Sequence, residues 1–290
     1  MAAQELDVTI LIPVYNEEAA IQGVISEVKK AMVSTSHRYE ILVVDDQSTD
    51  RSYELAQSEK VRVLRRPVRG GSGAARRTGI QAARGEIIVM LDGDGSYDAG
   101  DIPKLLAYFP EYDQVNGART SEQGTLKLLR MPAKWFIRQL ASYLTSTRIP
   151  DLNTGLKAFK KEIMKKYLWV LPDGFSCVTT MTLAFLANGY AVKYILTNYR
   201  KRIGRSKFHP LADTFSYLTT VIRMVTYFKP LRVFMPLSLI LFIFALLKSF
   251  WSFKMTGTLQ ESDIVIFVTT LILAALGLIA DLIATYHNRA

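Results

Sequence analysis

A single cysteine, Cys177, stands in 290 residues, so no intrachain disulfide can form and no thiolate cluster can hold a metal. Histidine is nearly as scarce. His37, His209 and His287 are scattered along the chain, which argues against zinc chemistry and against a Ser-His-Asp triad. Acidic residues are outnumbered, 26 Asp+Glu against 36 Lys+Arg, for a formal net charge of +10. That surplus suits nucleic acid, anionic lipid or phosphorylated small molecules as partners. No helix-turn-helix, zinc or RNP-type aromatic motif accompanies it, so no nucleic-acid partner is expected. The glycine fingerprints of nucleotide folds are missing too. A dinucleotide site needs G-x-G-x-x-G after the first strand, where Tyr15-Asn16-Glu17 stands instead. The later "RGGSGAARRTG" lacks that spacing and the GK[ST] ending of a P-loop, and reads as a turn and helix start packed close to a sheet. A phosphate contact there is the open alternative. The opening "MAAQELDVTI" has acidic residues and no basic n-region, so no secretory signal is expected.

What is present is organised. "VTILIPV" (8–14) and "YEILVVDD" (39–46) are short, β-branched apolar runs of the kind that form buried parallel strands. Between them Ile21, Val24, Ile25, Val28 and Met32 recur at helical spacing. "VRVLRR" and "EIIVMLD" predict two more strands, with a helix over 74–83 between them. Strand-helix-strand at this spacing predicts an α/β fold with a mostly parallel sheet and right-handed crossovers. Ligands in such sheets bind at the carboxyl ends of strands. "PVYNEE", "DDQSTD" and "DGDGSYD" each fall at such an end.

Two apolar stretches close the chain. Val233 to Leu247 carries no charge and continues past Lys248; Ile264 to Ala280 is likewise uncharged and continues past Asp281. Each approaches the roughly 20 residues of helix that a bilayer core needs, which predicts a transmembrane hairpin at about 233–253 and 264–286. Lys248 is expected to snorkel outward from its end. Two buried helices of a soluble domain are the alternative. Arg223, Lys229, Arg232 and Arg289 flank the spans, so the positive-inside rule places both termini in the cytoplasm. The expected organisation is a cytosolic catalytic domain over 1–210, a juxtamembrane helix over 211–232 and the hairpin over 233–290. Within 115–150, "TLKLLRMPAKWFIRQLASYLTS" mixes apolar and basic residues, which suits an amphipathic helix on a membrane surface or an ordinary solvated one.

In "VMLDGDGSYDAGD" (89–101), Asp92, Asp94, Asp98 and Asp101 crowd one turn of a basic chain. Crowded carboxylates raise each other's energy, and a metal ion would offset them. An EF-hand loop is excluded, because counting from Asp92 puts Tyr97 at position 6 and Pro103 at position 12. Asp98 suits a turn and Asp101 the N-cap of a helix beginning at "IPKLLAYF". Asp45 is likewise read as a cap on the helix that follows it.

"IPVYNEE", "VVDDQSTD", "GGSGAARRTGIQAARGE", "MLDGDGSYD" and "YRKRIGRSK", in this order, resemble family 2 glycosyltransferases of the GT-A fold. "DLNTGLKAF" and the hairpin narrow the resemblance to the polyisoprenyl-phosphate glycosyltransferases. The resemblance implies a nucleotide-sugar donor, UDP- or GDP-linked, a polyisoprenyl phosphate acceptor, a divalent metal (Mg²⁺ or Mn²⁺), and direct displacement with inversion. It assigns the metal to the D-x-D pair Asp92 and Asp94, with Ser96 beside them. The donor pocket would comprise Pro13, Tyr15, Glu17, Val44, Asp46 and Asp92, and Arg202, Ser206 and Lys207 would hold the diphosphate. Asp92, Asp94 and Arg202 become the catalytic set. On the acceptor side stand Arg119, Arg130, Lys134, Asp151 and Thr154. Many family members carry an acidic residue in the segment matching "GFSCVTTMTLAF", where this chain has Val178, Thr179 and Thr180. A lipid phosphate is already anionic and needs no such base. Transfer to a hydroxyl of a glycolipid, and a non-catalytic nucleotide-sugar-binding protein, are the competing expectations. The hairpin leaves helix faces available for a homo-oligomer.

Overall fold

The computed structural model describes residues 6–119, 135, 138–143, 145–174, 176–203, 219–224 and 226–287. The chain divides into two compact units, Met1–Val221 and Ile222–Ala290. The first is built on a seven-stranded sheet whose strands are β1 (Val8–Val14), β2 (Tyr39–Asp45), β3 (Arg62–Arg65), β4 (Ile87–Met90), β5 (Gln114–Arg119), β6 (Lys157–Lys160) and β7 (Val192–Thr197). Their order across the sheet is β3-β2-β1-β4-β6-β5-β7. β1 pairs in parallel with β2 and β4, and β5 with β7, while β6 runs antiparallel to both of its neighbours.

Side chains alternate across a strand, so each strand feeds two cores. Val8, Ile10, Ile12 and Val14 of β1 pack on one face with Ile21, Val24, Ile25, Val28 and Met32 of α1 (Ile21–Val33). Those five positions are the helical stripe anticipated from their spacing. Helix α2 (Ser52–Ser58) precedes β3. On the opposite face Leu11, Leu42 and Val44 meet α3 (Ser72–Ala82). At Gly79 an added Cβ would lie 2.2 Å from Leu11 Cδ1, so only glycine lets α3 approach β1 this closely. A 3-10 turn (Ala99–Asp101) leads into α4 (Ile102–Leu106). Helix α5 (Lys161–Lys166) follows β6, and α6 (Cys177–Ala187) is buried along its length up to Leu186. Residues 138–143 are helical, with Trp135 more than half exposed; residues 125–134, 136, 137 and 144 of the amphipathic stretch lie outside the described residues.

The second unit is a helical hairpin of α7 (Leu231–Thr256) and α8 (Glu261–His287). Both helices have the length and apolar composition to cross a membrane. Gly257 ends α7 in the left-handed region, φ 71°, its N–H donating to Phe253 O at 2.8 Å. Lys248 reaches towards the loop end of the hairpin. Its ammonium turns to the partner helix and donates to Asp263 Oδ1 and Ser262 Oγ, each at 2.6 Å. Asp263 is buried and also accepts from Ser252 Oγ and Gln260 N, so Lys248 supplies the counter-charge of a desolvated carboxylate.

Candidate active site

The carboxyl ends of β1, β2 and β4 lie side by side, and Tyr15, Asp46 and Asp92 follow within two residues of them. Because β6 runs the other way, residues just before it arrive at the same edge: Lys157 is in register with Met90, the last residue of β4. A Cβ at Gly155 would lie 2.3 Å from Asp92 Oδ2. Segment 151–155 and the D-x-D turn therefore meet face to face. Tyr97 joins them, its buried hydroxyl accepting from Gly155 N at 2.7 Å and its ring edge-on to Tyr199 at 5.1 Å between centroids.

Each D-x-D carboxylate faces an arginine. Asp92 Oδ1 accepts from Arg76 Nη2 at 2.6 Å. Asp94, nearly buried, accepts from Arg202 Nη2. Ser96 is fully buried, and its Oγ donates to Asp94 Oδ1 at 2.5 Å. Gly95 makes the turn at φ 71°. Arg202 reaches Asp94 because segment 199–203 is zipped along it: Arg200 N donates to Ser96 O at 2.8 Å, and Ile203 N to Asp94 O at 3.0 Å. Among the described residues no group of three or more His, Cys, Asp or Glu side chains gathers as a metal cluster. Asp92 and Asp94 nevertheless fit a hard divalent cation, which takes oxygen ligands and needs only one or two carboxylates. The two guanidinium groups hold positive charge against those same oxygens.

Of the residues expected to hold an acceptor, Arg119 and Asp151 form a bidentate pair, Nε–Oδ2 2.7 Å and Nη2–Oδ1 3.0 Å. Burial pushes the Asp151 carboxyl up, but the hydrogen bonds and charge of Arg119 outweigh it and leave the group below its usual range. The Arg119 guanidinium also lies 5.3 Å from the Tyr199 ring centroid. Thr154 is buried, its Oγ1 donating to Leu156 O at 3.3 Å. Arg130, Lys134, Ser206 and Lys207 lie outside the described residues.

Of the residues expected to hold a donor, Pro13, Tyr15 and Glu17 are partly exposed, while Val44 is sealed in the core and offers no side chain to a pocket. Glu17 N donates to Ser52 Oγ at 2.7 Å. The Arg69 guanidinium stands 4.1 Å above the Tyr15 ring. Asp46 accepts from Arg66, from Gly70 N at 3.0 Å and from Gly71 N at 2.6 Å.

Two expected caps take other roles. Asp45 does not cap α2, which begins only at Ser52; it accepts from Ser48 N at 3.2 Å and pairs with Arg65 at 3.3 Å. Asp101 occupies the cap position of α4 without a capping bond, its carboxylate being held by Lys104 at 2.6 Å and Asn198 N at 3.2 Å. Asp98 does form the turn, accepting from Gly100 N at 2.9 Å.

Arg76 and Lys157 were not singled out by sequence reasoning. Arg76 lies on the buried side of α3 with Ala75, Gly79 and Ile80, and a charge on the core-facing side of a helix signals a buried partner. Lys157 is fully buried, its Nζ donating to Val178 O at 2.7 Å and Thr182 Oγ1 at 2.9 Å. Burial pushes its ammonium down to about 7.

The family model "Glycosyl transferase family 2" matches residues 9–168, and the "GtrB C-terminal hairpin" model matches residues 229–286. The dodecaprenyl-phosphate galacturonate synthase of Rhizobium johnstonii is 32% identical over 171 residues, covering 56% of this chain and 50% of that protein. The dolichyl-phosphate hexose transferase of Haloferax volcanii is 29% identical over 208 residues, 71% of this chain and 88% of that protein. An undecaprenyl-phosphate 4-deoxy-4-formamido-L-arabinose transferase of Shewanella sediminis is 31% identical, with coverages of 65% and 57%. The chain thus spans about half the length of the first of these and 57% of the third. Among solved structures, glucosyl-3-phosphoglycerate synthase from Mycobacterium tuberculosis, in complex with Mn²⁺, UDP-glucose and phosphoglyceric acid, superposes with a TM-score of 0.60 at 19% identity, over 76% of this chain and 80% of that one. The fold is the GT-A-like one.

Proposed function

The chain belongs to glycosyl transferase family 2, and from that premise we propose that it transfers a hexose-type sugar from a UDP- or GDP-sugar to a polyisoprenyl phosphate. The observation that carries this reading is the convergence of two carboxylates, Asp92 and Asp94, and two cation-bearing segments on one sheet edge. The relatives named as polyprenyl-phosphate sugar transferases support the acceptor class. The apolar hairpin supports anchoring in a bilayer that also holds the lipid.

The acceptor phosphate is anionic and acts as the nucleophile without a side-chain base, consistent with Val178, Thr179 and Thr180 where an acid would be needed. Its oxygen forms a bond to the anomeric carbon as the bond from that carbon to the diphosphate breaks, with inversion. The nucleoside diphosphate leaves with the electron pair. Arg202, with Ser206 and Lys207, neutralises the leaving diphosphate. Asp92 and Asp94 would hold a divalent cation, with Ser96 at their side, and that cation supplies Lewis-acid stabilisation of the leaving charge. Pro13, Tyr15 and Glu17 form the nucleoside side of the pocket, with the buried Val44 and Asp46 at the neighbouring strand end. Arg119, Asp151 and Thr154, with Arg130 and Lys134, form the acceptor side. The catalytic domain (1–210) is cytoplasmic, joined through 211–232 to the hairpin (233–290), with both termini cytoplasmic and hairpin faces open to a second copy.

Purified protein with Mn²⁺, polyisoprenyl phosphate and a panel of labelled UDP- and GDP-sugars tests the reading. Label is expected in the lipid as an acid-labile phosphodiester, reduced about a hundredfold or more in Asp94→Ala. An acid-resistant product would instead indicate a glycosidic bond to a hydroxyl. No labelled lipid from any donor would refute the proposal.

A further inference from the structure

Three segments meet at the site, and one side chain of the D-x-D turn touches the other two. Tyr97 is 3% exposed. The buried Gly155 N–H donates to its hydroxyl at 2.7 Å, and its ring meets the Tyr199 ring edge-on. Tyr97 and Tyr199 also pair as a backbone bridge. Asp151, in the same segment as Gly155, pairs with Arg119, and the Arg119 guanidinium stands over the Tyr199 ring at 5.3 Å from its centroid. These contacts close a circuit, from Tyr97 through Gly155, Asp151, Arg119 and Tyr199 back to Tyr97.

Burial pushes the ionisation of the Tyr97 phenol up. The hydroxyl therefore keeps its proton at neutral pH and serves as a post, not as a base. Gly155 has little freedom beside it: a Cβ there would lie 2.3 Å from Asp92 Oδ2 and 3.0 Å from Tyr97 Cε2. Direct displacement needs the entering oxygen in line with the leaving diphosphate, and a misplacement of about 1 Å costs about a hundredfold in rate. We propose that Tyr97 is a positioning residue that sets the spacing between donor and acceptor. Its hydroxyl pins Gly155 beside Asp92, and its ring, through Tyr199, sets where the Arg119 guanidinium stands. This rests on the glycosyl-transfer reading, which gives Asp92 to the donor and Arg119 to the acceptor.

The test replaces Tyr97 with Phe in the full chain in detergent, which keeps the ring and removes the pin. Hydrogen–deuterium exchange should quicken in peptides covering 151–156 and stay unchanged in β1, β2 and β4. With the donor that labels polyisoprenyl phosphate in the wild type, kcat should fall about tenfold or more. Calorimetric binding of UDP or GDP with Mn²⁺ and the shape of the pH–rate profile should not change. Tyr199→Leu removes the ring beneath Arg119 and should raise KM for polyisoprenyl phosphate about threefold, again without a change in nucleotide binding. Unaltered exchange at 151–156 in Tyr97→Phe would overturn the inference whatever the activity. So would an unaltered kcat, or an unaltered acceptor KM in Tyr199→Leu. Nucleotide affinity that falls in step with kcat would also overturn it, by making the hydroxyl a general support of the fold. A displaced limb of the pH–rate profile would do the same, by making it a proton carrier. A wild-type chain that labels no lipid, with exchange quickened in Tyr97→Phe, would sink the glycosyl-transfer reading and the positioning role with it, while the Tyr97–Gly155 contact stood.

Discussion

The pair formed by Arg119 and Asp151 gives a sharp test of how this edge of the sheet is held. The side chains are 14% and 12% exposed, so solvent screening does little to weaken them. Two charge-assisted bonds join them, and Asp151 also accepts from Asn153 N at 3.1 Å and Arg119 N at 3.3 Å. Breaking a buried pair from one side costs about 3–5 kcal/mol, because the remaining charge stays desolvated. Those two backbone donors remain in Arg119→Ala, which puts the expected loss near the lower end, about 3 kcal/mol. Removing both charges relieves the stranded carboxylate, so a double-mutant cycle with Asp151→Asn should give a coupling of about 2 kcal/mol. The assay is chemical denaturation of the full chain in detergent, followed by tryptophan fluorescence. The sign with pH is fixed as well. In the wild type the Asp151 carboxyl is held below 3.8, so its contribution is present above that value and is lost as pH falls through the folded-state pKa. In Arg119→Ala burial acts without the guanidinium and raises the group, so the gap to wild type should narrow as pH falls from 7 towards 4. A coupling under about 0.5 kcal/mol, or a gap independent of pH, would refute the reasoning.

Gly155→Ala would place a methyl 2.3 Å from Asp92 Oδ2 and 3.0 Å from Tyr97 Cε2. Lipid-linked sugar formation should fall at least tenfold while far-ultraviolet circular dichroism is unchanged; full activity would show that Asp92 has room to move. Lys157→Met should flatten part of the stability–pH profile. The folded lysine releases its proton near 7, while the unfolded one keeps it to about 10.5. Stability should therefore climb with pH across that window in the wild type and climb less in the variant, as read by thermal unfolding between pH 7 and 10. Identical slopes would remove the buried ammonium from the account.

The first four strands and α1 were legible because their apolar spacing matches their burial residue by residue, from Val8 to Val14 and from Ile21 to Met32. The acidic turn at the carboxyl end of β4 was legible for the same reason, since a strand end is a place the sequence marks. The reversed strand was not. "KAFK" is only four residues, and nothing local tells whether such a segment runs with its neighbours or against them. That reversal brings Gly155 to Asp92 and seals Lys157 in the interior. A lysine in a four-residue apolar run reads as polar surface unless both faces of the strand are known to be covered. The caps expected at Asp45 and Asp101 failed because distant partners, Arg65 and Asn198, competed for carboxylates that local spacing assigned to helix termini.

The pairing of Asp94 with Arg202 spans 108 residues of chain, and this separation bears on how the protein comes into being. Loop-closure entropy makes so distant a contact a late one. Strands β1 to β4 can pair with one another as soon as they leave the ribosome, but segment 199–203 follows β7, the strand that completes the far edge of the sheet. Until then Asp94 has Ser96 but no counter-charge. The carboxylate pair is thus completed only when the sheet is, and a chain interrupted before residue 199 would carry the acidic turn without the arginine that balances it.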